Sequence, residues 1–424
     1  MSNRPRVYTV VGTFLPIKGG VETQTFAQAH GLRKLGHEVT IVTFRHKSAW
    51  LPRDVIEGVP VIRVGGKLLE KRERLPRLLK RFIYFLAILA LTWTMWRQRQ
   101  HYDIVQVCKF GILMIPLALV CRLTGKPLVA VVLGMNLKAA SAGAVSTTLL
   151  VGPLDPTAPW MQVTERSTFT GDLEQLERLG QPAVRITRSL LRGIPVVVVI
   201  LSTRMKTYLA DHGFPAFEVR LIPNGVDLTR FYPPSEDAFT RERENTVVCI
   251  ASLRFEKGID VLLQAWRLVM EQAPSLAAKL IIVGDGRLQA QLECMANALG
   301  IAESVEFTGV RSDIPDQLRR GKIAVLPSRT EGMPNALLEA MACGSACVAT
   351  RVSGSEDIIQ HGINGLLVDA EDYAGLAEAL LTLLRDSKRC EKFRQAARET
   401  AEQQYSLERI VERYSALYQS IAGS

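Results

Sequence analysis

Two series of short β-branched runs alternate with helical stretches along the 424-residue chain, and this alternation limits the fold more than any other feature. The first series opens with a predicted strand at 6–12, a helix at 21–35 that Gly36 ends, and a second strand at 37–43. Strands that alternate with helices of this length indicate parallel sheets covered by helices. Further strands of this series are predicted at 59–64, 104–108, 127–133 and 195–201.

A segment rich in Pro and Gly, 221–234, and the charged run 236–244 separate the two series. We therefore predict a first domain at 1–222, a second at 223–405 and a C-terminal helix at 406–424 that packs back on the first domain. Two facing, doubly wound Rossmann-like domains follow, with the ligand site in the cleft at the carboxyl ends of the strands. In the second series we predict strands at 246–252, 279–283, 305–308, 323–327, 346–350 and 365–368, and helices at 259–272, 288–299 and 335–342.

Charge and cysteine content restrict the partners and the compartment. The formal net charge of +10 suits an anionic partner, which is a nucleic acid, an anionic membrane surface or a phosphorylated small molecule. The seven cysteines include no CxxC pair, which is typical of reduced, buried thiols in a cytosolic protein. The N-terminal residues lack the apolar core of a signal peptide, so we expect no secretion.

Two segments of the first domain stand out. The basic stretch 67–81 precedes an apolar run of fifteen residues, 82–96, which is shorter than the ~20 residues that a membrane span needs. The pair fits a helix lying on anionic lipid, and equally a sheet-covering helix with a solvated basic end. The segment 139–160 is rich in small residues and has one charged residue, so we expect an acceptor-side loop or a disordered segment there.

The stretch 327–339 has the composition of a strand end, a turn and a helix that opens near Pro334 and Asn335. Glu331 lies in the turn, which we expect to hold it away from the packed core, and Glu339 lies about one turn inside the helix. Unpaired N–H groups at a helix start attract anions and hydroxyl-rich ligands, and a neighbouring carboxylate accepts sugar or ribose hydroxyl bonds. A capped turn with unrelated glutamates is the alternative.

Two cations follow the first strand of the second domain. Arg254 and Lys257 lie at the carboxyl edge of the predicted sheet, where a guanidinium fork and an ammonium group can neutralise a diphosphate. As an isolated pair they also fit solvated surface charges. The Gly284-Asp285-Gly286 turn lacks the third glycine of a dinucleotide-binding motif and is a weak signal.

Taken together, these segments resemble the retaining nucleotide-sugar glycosyltransferases of family 4, which have the GT-B fold. The resemblance extends over nearly the whole chain. Its motifs are Gly19-Gly20-Val21-Glu22, Gly36-His37-Glu38-Val39, Pro223-Asn224-Gly225-Val226-Asp227, the Arg254 and Lys257 segment, Glu331-x7-Glu339, and the segment from Gly354-Ser355-Glu356-Asp357 to Gly362-Ile363-Asn364-Gly365.

The resemblance implies a role for each matching residue. Arg254 and Lys257 are expected to bind the donor diphosphate, Glu339 the ribose hydroxyls, and Glu331 the transferred sugar. Backbone at Gly332, Met333, Pro334 and Asn335 is expected to assist Glu331. Gly309 and Val310 resemble the nucleobase contact, and Gly20 resembles the turn that closes over the phosphates.

The chain also departs from the family pattern. Many relatives carry a histidine at the end of the strand matching 104–108 and often His-Gly after the next, where this chain has Gln106, Cys108 and Leu133-Gly134. The family's route retains the anomeric configuration and lets the leaving phosphate take the acceptor's proton, so it needs no protein base. No Asp-x-Asp pair is visible, so we predict neither a metal nor a cofactor.

The predicted function is therefore sugar transfer from a nucleotide-diphosphate sugar to a glycan, lipid-linked or small-molecule acceptor. We expect no nucleic-acid partner, a cytoplasmic location and peripheral contact with an anionic membrane. Two alternatives stay open, a sugar-nucleotide epimerase of the same fold and a non-catalytic nucleotide-sugar-binding protein. The sequence leaves open the sugar, the nucleobase, the acceptor and the oligomeric state.

Overall fold

The structure is a computed structural model that describes residues 4–17, 19–70, 75–134, 171–214, 217–234 and 245–422. The described residues form two compact units. The first contains the described residues within 4–134, 171–225 and 407–422, and the second contains those within 226–406. The chain thus passes between units at 225/226 and at 406/407, three residues and one residue later than the sequence suggests.

An eight-stranded sheet forms the centre of the first unit, in the order β3-β4-β2-β1-β5-β6-β7-β8. All pairs are parallel except β3 and β4, which form an antiparallel hairpin. β1, β5 and β6 are buried along their whole length, as expected when helices cover both faces of a sheet. The strands are β1 (Val7–Val11), β2 (Val39–Phe44), β3 (Arg53–Ile56), β4 (Val59–Val64), β5 (Ile104–Cys108), β6 (Leu128–Val132), β7 (Val196–Ile200) and β8 (Glu218–Leu221).

Eight helices accompany this sheet among the described residues. They are α1 (Gly20–Lys34), α2 (Lys67–Glu70), α3 (Arg77–Arg97), α4 (Met114–Thr124), α5 (Asp172–Glu177), α6 (Gln181–Leu191), α7 (Arg204–Asp211) and the C-terminal α15 (Leu407–Ala422). α15 packs on α1, and two of its side chains make polar contacts with the core of the first unit. His37 Nε2 lies 2.7 Å from Ser415 Oγ, and the Tyr418 hydroxyl donates a hydrogen bond to Gln106.

The apolar segment 82–96 is part of a longer helix than its composition suggests, because α3 has 21 residues. By length and composition, 78–97 is the one helix of the described chain able to cross a membrane. Yet α3 also packs on β2, β4 and α4. Its buried face consists of Ile83, Ala87, Ile88, Leu91 and Met95. Its opposite face exposes a continuous apolar stripe of Leu78, Phe82, Phe85, Leu89 and Trp93.

The second unit contains a six-stranded, wholly parallel sheet in the order β11-β10-β9-β12-β13-β14. Trp266 is fully buried in its core and donates its ring N–H to Ser304, so the largest side chain there has no unmet polar group. The strands are β9 (Thr246–Ile250), β10 (Lys279–Val283), β11 (Val305–Gly309), β12 (Ile323–Leu326), β13 (Ala346–Thr350) and β14 (Gly365–Val368). The helices are α8 (Ile259–Gln272), α9 (Gln289–Ala298), α10 (Ile314–Arg319), α11 (Asn335–Ala342), α12 (Ser355–Ile358), α13 (Tyr373–Arg385) and α14 (Ser387–Gln404).

The expectation of two parallel-sheet, Rossmann-like α/β domains is confirmed. Strands β3 and β8 were not expected, because their largely exposed residues form no apolar run. Six of the seven free cysteines are buried as expected, and Cys294 is exposed. The predicted loop 139–160, and residues 71–74 of the basic stretch, lie outside the described residues.

Candidate active site in the second unit

Most of the predicted donor-binding residues of the second unit follow two neighbouring strands, β9 and β12. After β9 the chain forms a short 3₁₀ turn at Phe255–Lys257 and then Gly258, which has a left-handed φ of 63°. A Cβ atom at Gly258 would lie only 2.1 Å from the carbonyl oxygen of Pro327, the residue after β12. Only glycine permits this approach, and it holds the two predicted segments in direct contact.

Lys257 and Glu331 meet at this contact. Lys257 Nζ lies 2.5 Å from Glu331 Oε1, and the Ser328 hydroxyl donates to the same oxygen at 2.7 Å. The expectation that the turn holds Glu331 away from the packed core is wrong, because the residue is only 8% exposed. Its carboxylate is enclosed and therefore has to be paired.

The two predicted cations differ in their surroundings. Lys257 is half-buried and is ion-paired with Glu331, whereas Arg254 is exposed at the start of the 3₁₀ turn. Within the described residues, the Arg254 guanidinium has no ion pair or hydrogen-bond acceptor. Arg254 is therefore directly available to an anionic ligand. Lys257 can bind the same ligand if its ammonium group contacts the ligand and Glu331 together.

The predicted backbone contacts at 332–335 form the entry to helix α11. Met333 and Pro334 are buried, so these residues offer backbone groups to a ligand more readily than side chains. Gly354 supports this turn from behind, since a Cβ atom there would lie 2.5 Å from the Gly332 carbonyl oxygen. Asn335 opens α11, whose first backbone N–H groups lack intrahelical partners and favour an anion.

Glu339 lies one turn further along α11. Burial raises the pKa of its carboxyl to about 7, and the positive charge of the nearby Arg230 opposes this shift. The carboxylate has no hydrogen-bond donor among the described residues that would stabilise its charged form. A ligand that donates hydroxyl groups to Glu339 supplies the missing stabilisation.

The predicted nucleobase contact lies at the end of β11. Gly309 has a φ of 67°, its carbonyl accepts a bond from the Gly284 N–H at 2.9 Å, and Val310 is 71% exposed. Gly284 itself permits a close backbone approach, because a Cβ atom there would lie 2.0 Å from the Ala251 carbonyl oxygen. The Gly284-Asp285-Gly286 turn therefore has a packing role that is independent of dinucleotide binding.

Gly20 is the one predicted donor residue in the first unit, where it begins helix α1. Its contact with phosphates stays a prediction. The same first turn carries Glu22, which accepts a hydrogen bond from the Thr13 hydroxyl. Both side chains line a cavity of about 430 Å³ at the carboxyl ends of β1, β2 and β5.

This cavity contains side chains that the sequence did not single out as functional. His46 and Lys109 line it together with Tyr84 of α3. Lys109 follows β5 directly with a φ of 100°, an unusual backbone conformation for a residue other than glycine. No periodicity or motif signals this conformation, which is why Lys109 was missed.

The side chains at the positions where relatives carry histidine on β5 are part of the core of the first unit. Gln106 accepts from Tyr418 in the core, and burial raises the pKa of the Cys108 thiol, which keeps it protonated. Neither side chain is suited to act as a base. Among the described residues no group of three His, Cys, Asp or Glu side chains is placed to hold a metal ion.

Two family models match the chain: Glycosyltransferase Family 4 over residues 18–230 and Glycosyl transferases group 1 over residues 235–400. The N-acetyl-alpha-D-glucosaminyl L-malate synthase of Bacillus anthracis is 32% identical over 180 residues, which is 42% of this chain and 46% of that protein. A GDP-mannose-dependent alpha-(1-6)-phosphatidylinositol monomannoside mannosyltransferase of Mycolicibacterium smegmatis is 32% identical over 266 residues, 58% of this chain and 67% of that protein. The matched part thus spans about half to two thirds of these curated relatives.

Solved structures share the fold over nearly the full chain. Anabaena Alr3699/HepE in complex with UDP and glucose superposes with a TM-score of 0.69 at 19% identity, covering 98% of this chain and all of that one. The sucrose-phosphate synthase of Thermosynechococcus elongatus gives a TM-score of 0.72 at 18% identity, covering 99% and 100%. The family models and these folds together identify the chain as a member of glycosyltransferase family 4 with the GT-B fold.

Proposed function

We propose that this protein transfers a sugar from a nucleoside-diphosphate donor, held by the second unit, to an acceptor held by the first. The observation that carries the proposal is the meeting of Lys257 and Glu331 beside the exposed Arg254. Cations for a diphosphate and a carboxylate for sugar hydroxyls then lie together at the carboxyl edge of a Rossmann-like sheet. The family membership supports this activity.

The side chains divide the work of holding the donor. Arg254 and Lys257 neutralise the diphosphate, and the N–H groups at the start of α11 add positive potential. Glu331 uses Oε1 for Lys257 and Ser328, while Oε2 has no hydrogen-bond donor among the described residues and is free for a sugar hydroxyl. Glu339 accepts from the ribose hydroxyls, and Gly309 and Val310 contact the base through their backbone.

We propose that transfer retains the anomeric configuration. The bond from the anomeric carbon to the diphosphate oxygen breaks, the acceptor oxygen bonds to that carbon on the same face, and the acceptor's proton passes to the departing phosphate oxygen. No protein base takes part. This agrees with the burial of Cys108, which keeps its thiol protonated, and with Gln106, which accepts a hydrogen bond from Tyr418 in the core. The rate depends on stabilising charge that develops on the diphosphate.

The 430 Å³ cavity of the first unit is the proposed acceptor site. Its volume suits a sugar-sized group, and its lining combines polar Thr13, Glu22 and Lys109 with apolar side chains. One wall is Tyr84 of α3, the helix whose other face is an exposed apolar stripe. A glycan attached to a lipid fits this combination, and the Mycolicibacterium relative is named for a phosphatidylinositol mannoside acceptor.

We further propose a cytoplasmic protein that binds the membrane surface through α3, with no metal, cofactor or nucleic-acid requirement. The buried free thiols suit a reducing compartment. The net charge of +10 suits binding to a diphosphate donor and to an anionic membrane surface. Neither the epimerase nor the binding-only alternative gains support from the comparisons.

A donor panel tests the proposed activity. Unfolding temperature is measured with UDP- and GDP-linked sugars, and the sugar that stabilises the protein is then supplied in labelled form with membrane lipid extract. We expect a rise in unfolding temperature by mass action, and label in the lipid or glycan fraction. Release of free sugar alone, or an epimerised donor, would contradict transfer.

Charge neutralisation by side chains gives a second test. Transfer should persist in excess EDTA, while Lys257→Ala should lower kcat by roughly 10²–10³, as for loss of one electrostatic stabiliser. Lys388→Ala, on the amino-terminal turn of α14, is a matched control that removes one exposed lysine. Loss of activity in EDTA with rescue by magnesium or manganese, and a near-normal Lys257→Ala enzyme, would refute the assignment.

The pKa of Glu339, about 7, predicts that donor binding depends on pH. The charged carboxylate is the form that accepts ribose hydroxyl bonds, so nucleoside diphosphate affinity should fall up to tenfold per unit as the pH drops below 7. Glu339→Gln should bind weakly with a flattened pH profile. Titration calorimetry from pH 5.5 to 8.5 measures this, and an unchanged slope in the variant would remove Glu339 from the ribose site.

The same pKa predicts an effect on stability with a defined sign. Glu339 is protonated up to about pH 7 when folded but only up to its ordinary value of 4.5 when unfolded, so its contribution to stability is lost as the pH rises through this window. Glu339→Gln should therefore raise the free energy of unfolding at pH 8 by about 1–3 kcal/mol, with no gain near pH 4.5. Glu306→Gln is the opposite control, because the hydrogen bonds from Arg320 lower the pKa of Glu306.

The exposed stripe of α3 predicts binding to anionic vesicles. Phe85→Ser combined with Trp93→Ser should reduce co-sedimentation at low salt, because both side chains are exposed and apolar on one helix face. Leu123→Ser and Leu179→Ser form the matched control, since both leucines are exposed in the same unit but outside the stripe. Equal loss in both double variants, or a wild type that stays in the supernatant, would contradict this.

A further inference from the structure

Arg329 lies between Ser328 and Glu331 in the β12 to α11 turn, yet its side chain points into the protein. The side chain is 12% exposed, and its guanidinium contacts Asp260, Glu371 and Phe255. Its carbon lies 4.0 Å from the centre of the Phe255 ring, a cation–π distance. A buried cation needs compensating partners, and those of Arg329 lie on two segments, the one after β9 and the one after β14.

All five N–H groups of this guanidinium have an acceptor. Nη1 donates to the Phe255 carbonyl oxygen and to Asp260 Oδ1, both at 2.7 Å. Nη2 donates to Asp260 Oδ2 at 2.6 Å and to Glu371 Oε2 at 3.0 Å, and Nε donates to Glu371 Oε1. Two forked carboxylate contacts of this kind fix both the position and the plane of the group.

The partners connect Arg329 to the segment that carries Lys257. Phe255 belongs to the 3₁₀ turn with Lys257, and Asp260, which is 3% exposed, lies in the first turn of α8 just after Gly258. The Arg329 backbone N–H also donates to the Glu256 carbonyl at 2.9 Å. Glu371, after β14, contributes its carboxylate from a strained left-handed backbone with a φ of 69°.

We propose that Arg329 is a positioning residue of the donor site, an inference that rests on the donor site proposed above. It fixes the Lys257 turn against the Glu331 turn, so that the ammonium and carboxylate groups keep their 2.5 Å contact and their aim at the donor. Arg329 does not touch the nucleotide sugar, because all of its guanidinium N–H groups already donate to acceptors within the protein. Lysine cannot replace it, since an ammonium group has three donors and no planar fork.

A double-mutant cycle tests this inference. Arg329→Lys, Lys257→Ala and the combined variant are compared with wild type for affinity towards UDP and GDP and for donor kcat and KM. Arg320→Lys is the matched control, because Arg320 makes a forked contact with Glu306 in the same unit but on an exposed surface away from the two turns. Urea unfolding of every variant separates binding from stability.

We expect Arg329→Lys to weaken nucleoside diphosphate binding roughly tenfold, which corresponds to about 1.4 kcal/mol, and to raise donor KM more than it lowers kcat. With Lys257→Ala already present, the same change should cost less than about twofold, because a residue that acts through Lys257 has nothing left to position. Arg320→Lys should leave binding unchanged.

Other outcomes overturn the inference. An equal loss of affinity with and without Lys257 means that Arg329 does not act through it, and unchanged binding in Arg329→Lys means that it positions nothing. If Arg329→Lys fails to fold, Glu371→Gln replaces it in the cycle. The Glu371 side chain is 44% exposed, and its substitution removes one of the two forked contacts of Arg329. A wild type that binds none of UDP, GDP, ADP, CDP and dTDP refutes the donor site itself, which is a separate result.

Discussion

The approach of Gly258 to the Pro327 carbonyl is the constraint on which the candidate donor site depends. It brings the turn after β9 against the turn after β12 at a separation that no side chain at Gly258 permits. At this separation Lys257 Nζ and Glu331 Oε1 lie 2.5 Å apart. Gly258, next to Lys257, therefore has a steric explanation that is independent of any contact with a ligand.

Around this contact, charges are either balanced within the protein or left for a ligand. Arg329 is compensated by two carboxylates, and Lys257 is compensated by one. Arg254 has no such partner among the residues described, and Glu339 has only the opposing charge of Arg230 near it. Arg254 and Glu339 provide the groups that a nucleotide requires, a cation for phosphate and a carboxylate for ribose hydroxyls.

Patterns of neighbouring residues in the sequence predicted most of the buried strands and helices. The buried strands and the helix at Asn335–Ala342 agree with the sequence expectations, because apolar runs and Pro or Gly boundaries mark them. The enclosure of Glu331 and the contacts of Arg329 were missed, because they depend on partners 74 and 69 residues away. The same holds for Lys109, whose unusual φ is set by the path of the chain after β5 and not by its own chemistry.

The placement of α15 has a consequence for how the chain is completed during translation. α15 packs on α1, with His37 and Gln106 bonded to Ser415 and Tyr418, so the first unit uses residues from both sides of 226–406. The ribosome therefore finishes the stretch 226–406 before it makes the helix that closes the first core. Until then the α1 surface that α15 covers is exposed in the nascent chain, and incompletely packed surface of this kind favours aggregation.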